Sequence, residues 1–212
     1  MRDHLLFAVL PYVGGLVFIA GSVLPLAFRR GHLLDVPLDV PTTSRGSFGA
    51  VVRWAFVVVA VGHVLTLGFP DVTLHWDGTF LRLLLLEGTR TVAGALAAAG
   101  AVAVLARLLR SGEGSATPAI DVVAATLLVT ATVSGLAVAI VYRWASAWSA
   151  VTLAPYLRSL AHFDPSTELV THLPVLVKLH VVSAIGLVML VPFTRPARAM
   201  ARRLTRGRRA QA

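Results

Sequence analysis

The chain carries seven histidines, at positions 4, 32, 63, 75, 162, 172 and 180, and no cysteine. Only His63 and His180 stand well inside long apolar stretches. An ionisable side chain inside a membrane is costly and marks a function by default. A neutral imidazole is a good iron ligand, and haem iron accepts axial histidine. Two imidazoles on separate helices can therefore clasp one flat porphyrin from both sides. Such a bis-histidine haem moves single electrons and keeps no open position for oxygen chemistry. Gly62, beside His63, removes a side chain where a porphyrin edge needs room. The competing account is that each histidine makes an interhelical hydrogen bond, worth about 0.6–2 kcal/mol. Without cysteine the chain has no disulfides, thiolate zinc sites or iron–sulfur ligation of its own.

The elements that must position this pair follow from composition. Of 212 residues, 57% are hydrophobic and 14% charged, and the mean hydropathy is +0.79. A soluble domain carries about 25% charged residues, so an all-α, polytopic membrane protein is expected. Five segments approach the roughly 20 apolar residues a crossing needs: about Leu5–Phe28, Trp54–Phe69, Thr91–Leu109, Ile120–Tyr142 and Leu173–Phe193. The second is short and is extended back toward Phe48; the third is entered through Leu81–Leu86. Gly14, Gly15, Gly21, Gly94, Gly100 and Gly135 would let helices approach closely. Residues 1–194 form the membrane domain and 195–212 a basic tail.

The net charge of +9 is concentrated in that tail, where seven arginines fall in the last 18 residues. Orientation in a bilayer explains this better than nucleic acid. Thirteen basic residues follow spans one, three and five, and six lie on the other side. The positive-inside rule puts the N-terminus outside and the C-terminus in the cytoplasm. The first span is expected to be retained, because Met1-Arg-Asp-His is barely basic and Arg29-Arg30 comes after the apolar run. His63 then lies six residues from Phe69, about 9 Å along the helix, and His180 seven residues from Leu173, about 10 Å. Both imidazoles are expected at one level in the outer half of the bilayer.

Pro11-Tyr-Val-Gly-Gly-Leu-Val-Phe-Ile-Ala-Gly-Ser22, Val61-Gly-His-Val64 followed by Pro70, and Lys178-Leu-His180 followed by Val191-Pro-Phe-Thr-Arg195 share an order and spacing. In these, and in five spans with the N-terminus outside, the chain resembles the gamma (cytochrome b) subunit of respiratory nitrate reductase. The resemblance implies a haem b subunit in the inner (cytoplasmic) membrane. It would pass electrons between quinol and a partner iron–sulfur or catalytic subunit, as the quinol-oxidising part of an oxidoreductase, and be inactive alone. The family usually holds two b haems. His63 and His180 fit the outer pair. The inner ligand positions, ten residues before His63 and eighteen after His180, are here Arg53 and Arg198. One haem is therefore expected. His32 is a poor substitute from a loop.

The resemblance further implies a quinol site near the outer haem, assisted by a basic residue at the start of span three. Arg90 is the nearest match, with Glu87 as proton acceptor; the plainer reading of Arg90 is an interfacial arginine that snorkels. Tyr156–Leu160 with Phe163 are expected in an amphipathic helix over the outer mouth, where Arg143 and Arg158 would neutralise haem propionates. Trp144 and Trp148 read as an interfacial aromatic belt. The basic tail reads as an anchor on anionic lipid or a dock for a cytoplasmic partner. The alternative for the whole chain is a haem-free anchor or assembly subunit. A transporter ranks last, because no inverted repeat or paired broken helices are evident.

Overall fold

Apolar runs that cannot send backbone N–H and C=O groups to water must bond them internally, and within one segment only a helix does so. In the computed structural model, residues 4–27, 47–110, 119–142 and 144–199 are described, and among them there is no strand. A π-helical turn, Leu5–Val9, leads into α1, Leu10–Ala27. Then follow α2 (Ser47–Gly68), α3 (Pro70–Trp76), α4 (Phe80–Arg110), α5 (Ala119–Val141), α6 (Ala145–Ala161), α7 (Glu168–Thr171) and α8 (Val175–Leu190), which closes in a 3-10 turn, Val191–Phe193. Among the described residues, five helices are long and apolar enough to cross a membrane: α1 with the turn before it, α2, α4, α5 and α8 with the turn after it.

Two boundaries differ from the sequence expectation, while α2 begins at Ser47, one residue from the extension toward Phe48. Phe69 ends it with φ −129° and ψ 60°, and Pro70 starts α3 at the position where a missing N–H costs least. The run Leu81–Leu86 is the first part of α4 itself, not an entry segment. At 31 residues α4 is about 46 Å long, more than the roughly 30 Å hydrocarbon core needs. The helix expected around Tyr156–Leu160 is much longer and begins at Ala145; Phe163 lies past its end with φ 59°.

The membrane helices pack in the order α2, α4, α5, α8, α1. Alanines make the α2–α4 seam: Ala55, Ala93 and Ala97 are buried together. Of the glycines expected at helix contacts, Gly14, Gly21, Gly94, Gly100 and Gly135 each face a side chain of another element. Gly15 faces open space instead.

One end of the bundle is capped. Phe7, Tyr156, Leu160, Val170, Leu173 and Val177 form a buried cluster there, joining the chain's start to α6, α7 and α8. Trp148 packs against it. The Tyr156 hydroxyl donates to the Phe7 carbonyl at 2.6 Å, and the Tyr12 hydroxyl to the Leu160 carbonyl at 2.9 Å. Burial, with Tyr12 nearby, pushes the Tyr156 hydroxyl up to about 12, so it keeps its proton as a donor.

The opposite end is held by a buried ion pair that sequence reading assigned to no role. Asp121, in the first turn of α5, accepts from the Arg195 backbone N–H at 3.0 Å and from the Arg195 Nε–H. Both residues are buried. Removing one partner of such a pair leaves an uncompensated charge and costs about 3–5 kcal/mol. Asp121→Ala is therefore expected to lower the thermal unfolding midpoint of the detergent-solubilised protein by several degrees, and Arg195→Met to do the same, because each strands the other partner's buried charge.

Candidate functional site

His63 projects from α2 and His180 from α8. These helices pack on α4 and α5 respectively, not closely on each other. The two imidazole rings stand 5.9 Å apart, centre to centre, inclined by 34°. Both rings are shielded from solvent but not fully buried.

Each ring is oriented by main chain. His63 Nδ1 lies 2.8 Å from the Val59 carbonyl oxygen, one turn back on its own helix. His180 Nδ1 lies 2.8 Å from the Ala131 carbonyl oxygen on α5. A carbonyl oxygen can only accept, so both Nδ1 atoms carry the proton and both Nε2 atoms keep their lone pairs. That is the tautomer a metal ligand requires. The reason His180 reaches Ala131 is local. Gly135 follows Ala131 by four residues, on the same helix face. A Cβ at Gly135 would stand 2.7 Å from His180 Cε1 and 2.9 Å from Nδ1. With no Cβ there, the ring lies directly on the α5 backbone.

These observations test whether a haem iron suits the pair. A metal–imidazole bond is about 2.0–2.1 Å, so two rings that hold one ion must have their centres a few ångströms apart, and a separation of 5.9 Å is of that order. Among the described residues no group of three or more His, Cys, Asp or Glu gathers to hold a bare metal ion. Two neutral imidazoles are a donor set that haem iron accepts. The inner positions do not fit. Arg53 is exposed on α2, and a guanidinium offers no lone pair to iron. Arg198 has a buried Nε with no hydrogen-bond partner among the described residues.

Arg90 does not snorkel. Its Nη1 donates to the Thr66 hydroxyl at 2.9 Å, three residues beyond His63 on α2. The room beside Gly62, expected to take a porphyrin edge, is taken by Arg90: a Cβ on Gly62 would stand 3.4 Å from Arg90 Nε. Glu87, one turn nearer the capped end, accepts from the Ser146 backbone N–H at 2.8 Å. Ser146 in turn donates its hydroxyl to Asp77 Oδ2 at 2.8 Å. Asp77 and Ser146 were not singled out in the sequence. The only local signal was the Asp-Gly turn at 77–78, and the Ser146 contact spans 69 residues.

The remaining expected site residues are less committed. Arg158 is exposed on α6. Arg143 and His32 lie outside the described residues, as does the tail from residue 200. His75, His162 and His172 are exposed, as expected of solvent-facing groups.

Among the described residues, a bundle of five helices long and apolar enough to cross a membrane defines a multi-pass membrane protein. The family profile of the nitrate reductase gamma subunit matches residues 3–200. The chain belongs to that family, and so is a nitrate-reductase-like membrane subunit of a multi-subunit oxidoreductase complex. A comparison with curated proteins found no match.

Proposed function

We propose that the chain is a haem b subunit which passes electrons between the quinol pool and a partner iron–sulfur or catalytic subunit, using one haem held between His63 and His180. The observation that carries this is the 5.9 Å separation of two imidazoles whose Nδ1 atoms are both bound to carbonyls. The capped end faces outward, as the distribution of arginine implies, in the inner membrane. A b-type haem bound there supplies one-electron uptake and release.

The chain's own residues do the rest. His63 and His180 would hold the haem iron through their Nε2 atoms. Arg90, fixed by Thr66, offers its guanidinium beside His63 to a quinol oxygen. Glu87 accepts the quinol's protons. Arg158, and Arg143 beyond the described residues, would meet propionates at the capped end. Arg53 and Arg198 leave the inner haem of the family without ligands, so no step passes through it. Buried Arg195 ties the start of the basic stretch to the bundle, and the arginines beyond it meet anionic lipid or a partner subunit. The electron acceptor follows only from the family: nitrate reduction in a catalytic partner.

A haem-free anchor is the alternative, because both histidines already have hydrogen-bond partners. A reduced-minus-oxidised spectrum with haem iron per chain separates the two. One b-type haem per chain is expected. None in well-folded protein leaves the anchor reading, and two would overturn the assignment of Arg53 and Arg198.

A further inference from the structure

Asp77 is the polar group on the capped end with the least settled surroundings. It sits in the turn between α3 and α4, half-buried. One of its oxygens, Oδ2, accepts from the fully buried Ser146. The other, Oδ1, is buried without a hydrogen-bond partner among the described residues. A carboxylate atom out of water with nothing to bond asks for an explanation. A group that gains and loses a proton in use supplies one.

Its neighbours give that proton a source. Ser146 holds two carboxyls at once: Glu87 on its backbone N–H and Asp77 on its hydroxyl. Glu87 belongs to the same stretch of α4 as Arg90, which lies against α2 at Gly62 and Thr66, either side of His63. Asp77 is ten residues earlier, where α4 meets the surface turn. The three elements therefore set Glu87 on the His63 side and Asp77 on the solvent side of one residue. Burial raises the Asp77 carboxyl above the usual carboxylate range. The Ser146 hydrogen bond opposes this, Glu87 adds to it, and Arg90 opposes it. His75 and Asp71 on α3 and Arg82 on α4 are exposed, and α6 contributes Ser146.

We infer that Asp77 relays protons from Glu87 to the outer surface, with Ser146 holding the two carboxyls together. This rests on the quinol reading above and extends it to the exit. A quinol that lost two electrons, one at a time, to a haem held by His63 and His180 would become a quinone and release two protons. Its two protons go in turn to the Glu87 carboxylate, the Asp77 carboxylate and bulk water at the α3–α4 turn. Asp77 acts through Glu87 and does not touch quinol, so it is a positioning residue for the proton and not a catalytic one.

The test uses the full complex in membranes and the purified chain. In the wild type, quinol oxidation should fall on acidification at a pH above the ordinary carboxylate range, because a protonated Asp77 cannot accept. Asp77→Asn, of the same shape, should slow quinol oxidation by roughly tenfold or more and lose that acid limb, with the b-type band unchanged. Asp77→Glu should recover both. Apart from turnover, an infrared carboxyl band of the purified protein should titrate in that same pH range and vanish in Asp77→Asn. If Asp77→Asn loses the haem band, Ser146→Ala decides, since it cuts the link without removing a charge; it should slow turnover and shift the infrared titration upward, because the lost hydrogen bond favours the charged carboxylate. Wild-type rate, acid limb and infrared titration in the variant that keeps its haem would overturn the relay alone. Absence of any b-type band from the wild type would overturn the relay together with the haem reading.

Discussion

Changing either His63 or His180 to alanine should remove the b-type absorbance entirely. The two rings are 5.9 Å apart and belong to helices that do not otherwise pack closely. No other described histidine joins this pair to stand in for the one removed. The polypeptide should remain folded, because neither ring is part of the buried clusters at the capped end or along the α2–α4 seam. The measurement is a reduced-minus-oxidised spectrum on protein that keeps its elution volume and helical circular dichroism. Quinol-driven reduction of the partner should fall to background in both variants. A band of normal intensity surviving either change would overturn the pairing of these two residues around one iron.

Gly135→Val is expected to be nearly as severe, although Gly135 touches no cofactor. Its Cβ would stand 2.7 Å from His180 Cε1, well inside the 3.4–4 Å of ordinary contact. The ring must swing away, lose the Ala131 carbonyl and re-aim Nε2. Loss of the groups that orient a metal ligand typically costs 10–100-fold in affinity, so haem occupancy should drop by at least about tenfold. Gly135→Ala should act in the same direction. Helix propensity works the opposite way, since alanine favours a helix over glycine by about 1 kcal/mol; a loss of haem therefore reports on the ring and not on α5. Gly15→Ala is the matched control, because nothing lies within 4 Å of the added carbon. Haem retention measured against protein concentration decides the comparison.

The histidine pair was legible because it needs only helix geometry and two landmarks, Phe69 and Leu173, to bring His63 and His180 to one level. Five crossings were legible from apolar length. The early start of α2 was legible too, because Trp54–Phe69 alone is too short to cross. The start of α4 was less so: it absorbs Leu81–Leu86 because nothing between Phe80 and Arg90 breaks a helix. Arg90 reads in the sequence as a snorkelling side chain, since only the fold brings Thr66 to it. Asp121 and Arg195 read as an isolated acid and the start of a basic tail. Their union joins positions 74 residues apart, a separation that a single sequence does not encode in any local pattern. Asp77 and Ser146 were missed for the same reason.

Both imidazoles take their bearings from carbonyl oxygens of the peptide chain, Val59 on one side and Ala131 on the other. Main-chain atoms are present whatever residue is encoded there, so substitution at positions 59 and 131 cannot erase these acceptors as it could erase an aspartate or a serine. The ligand geometry is thereby insulated from sequence drift, except at the few places where bulk intrudes, Gly135 foremost. On the proposed reading, in which Arg53 and Arg198 leave the inner haem without ligands, this insulation gives a physical reason for the outer pair to be kept.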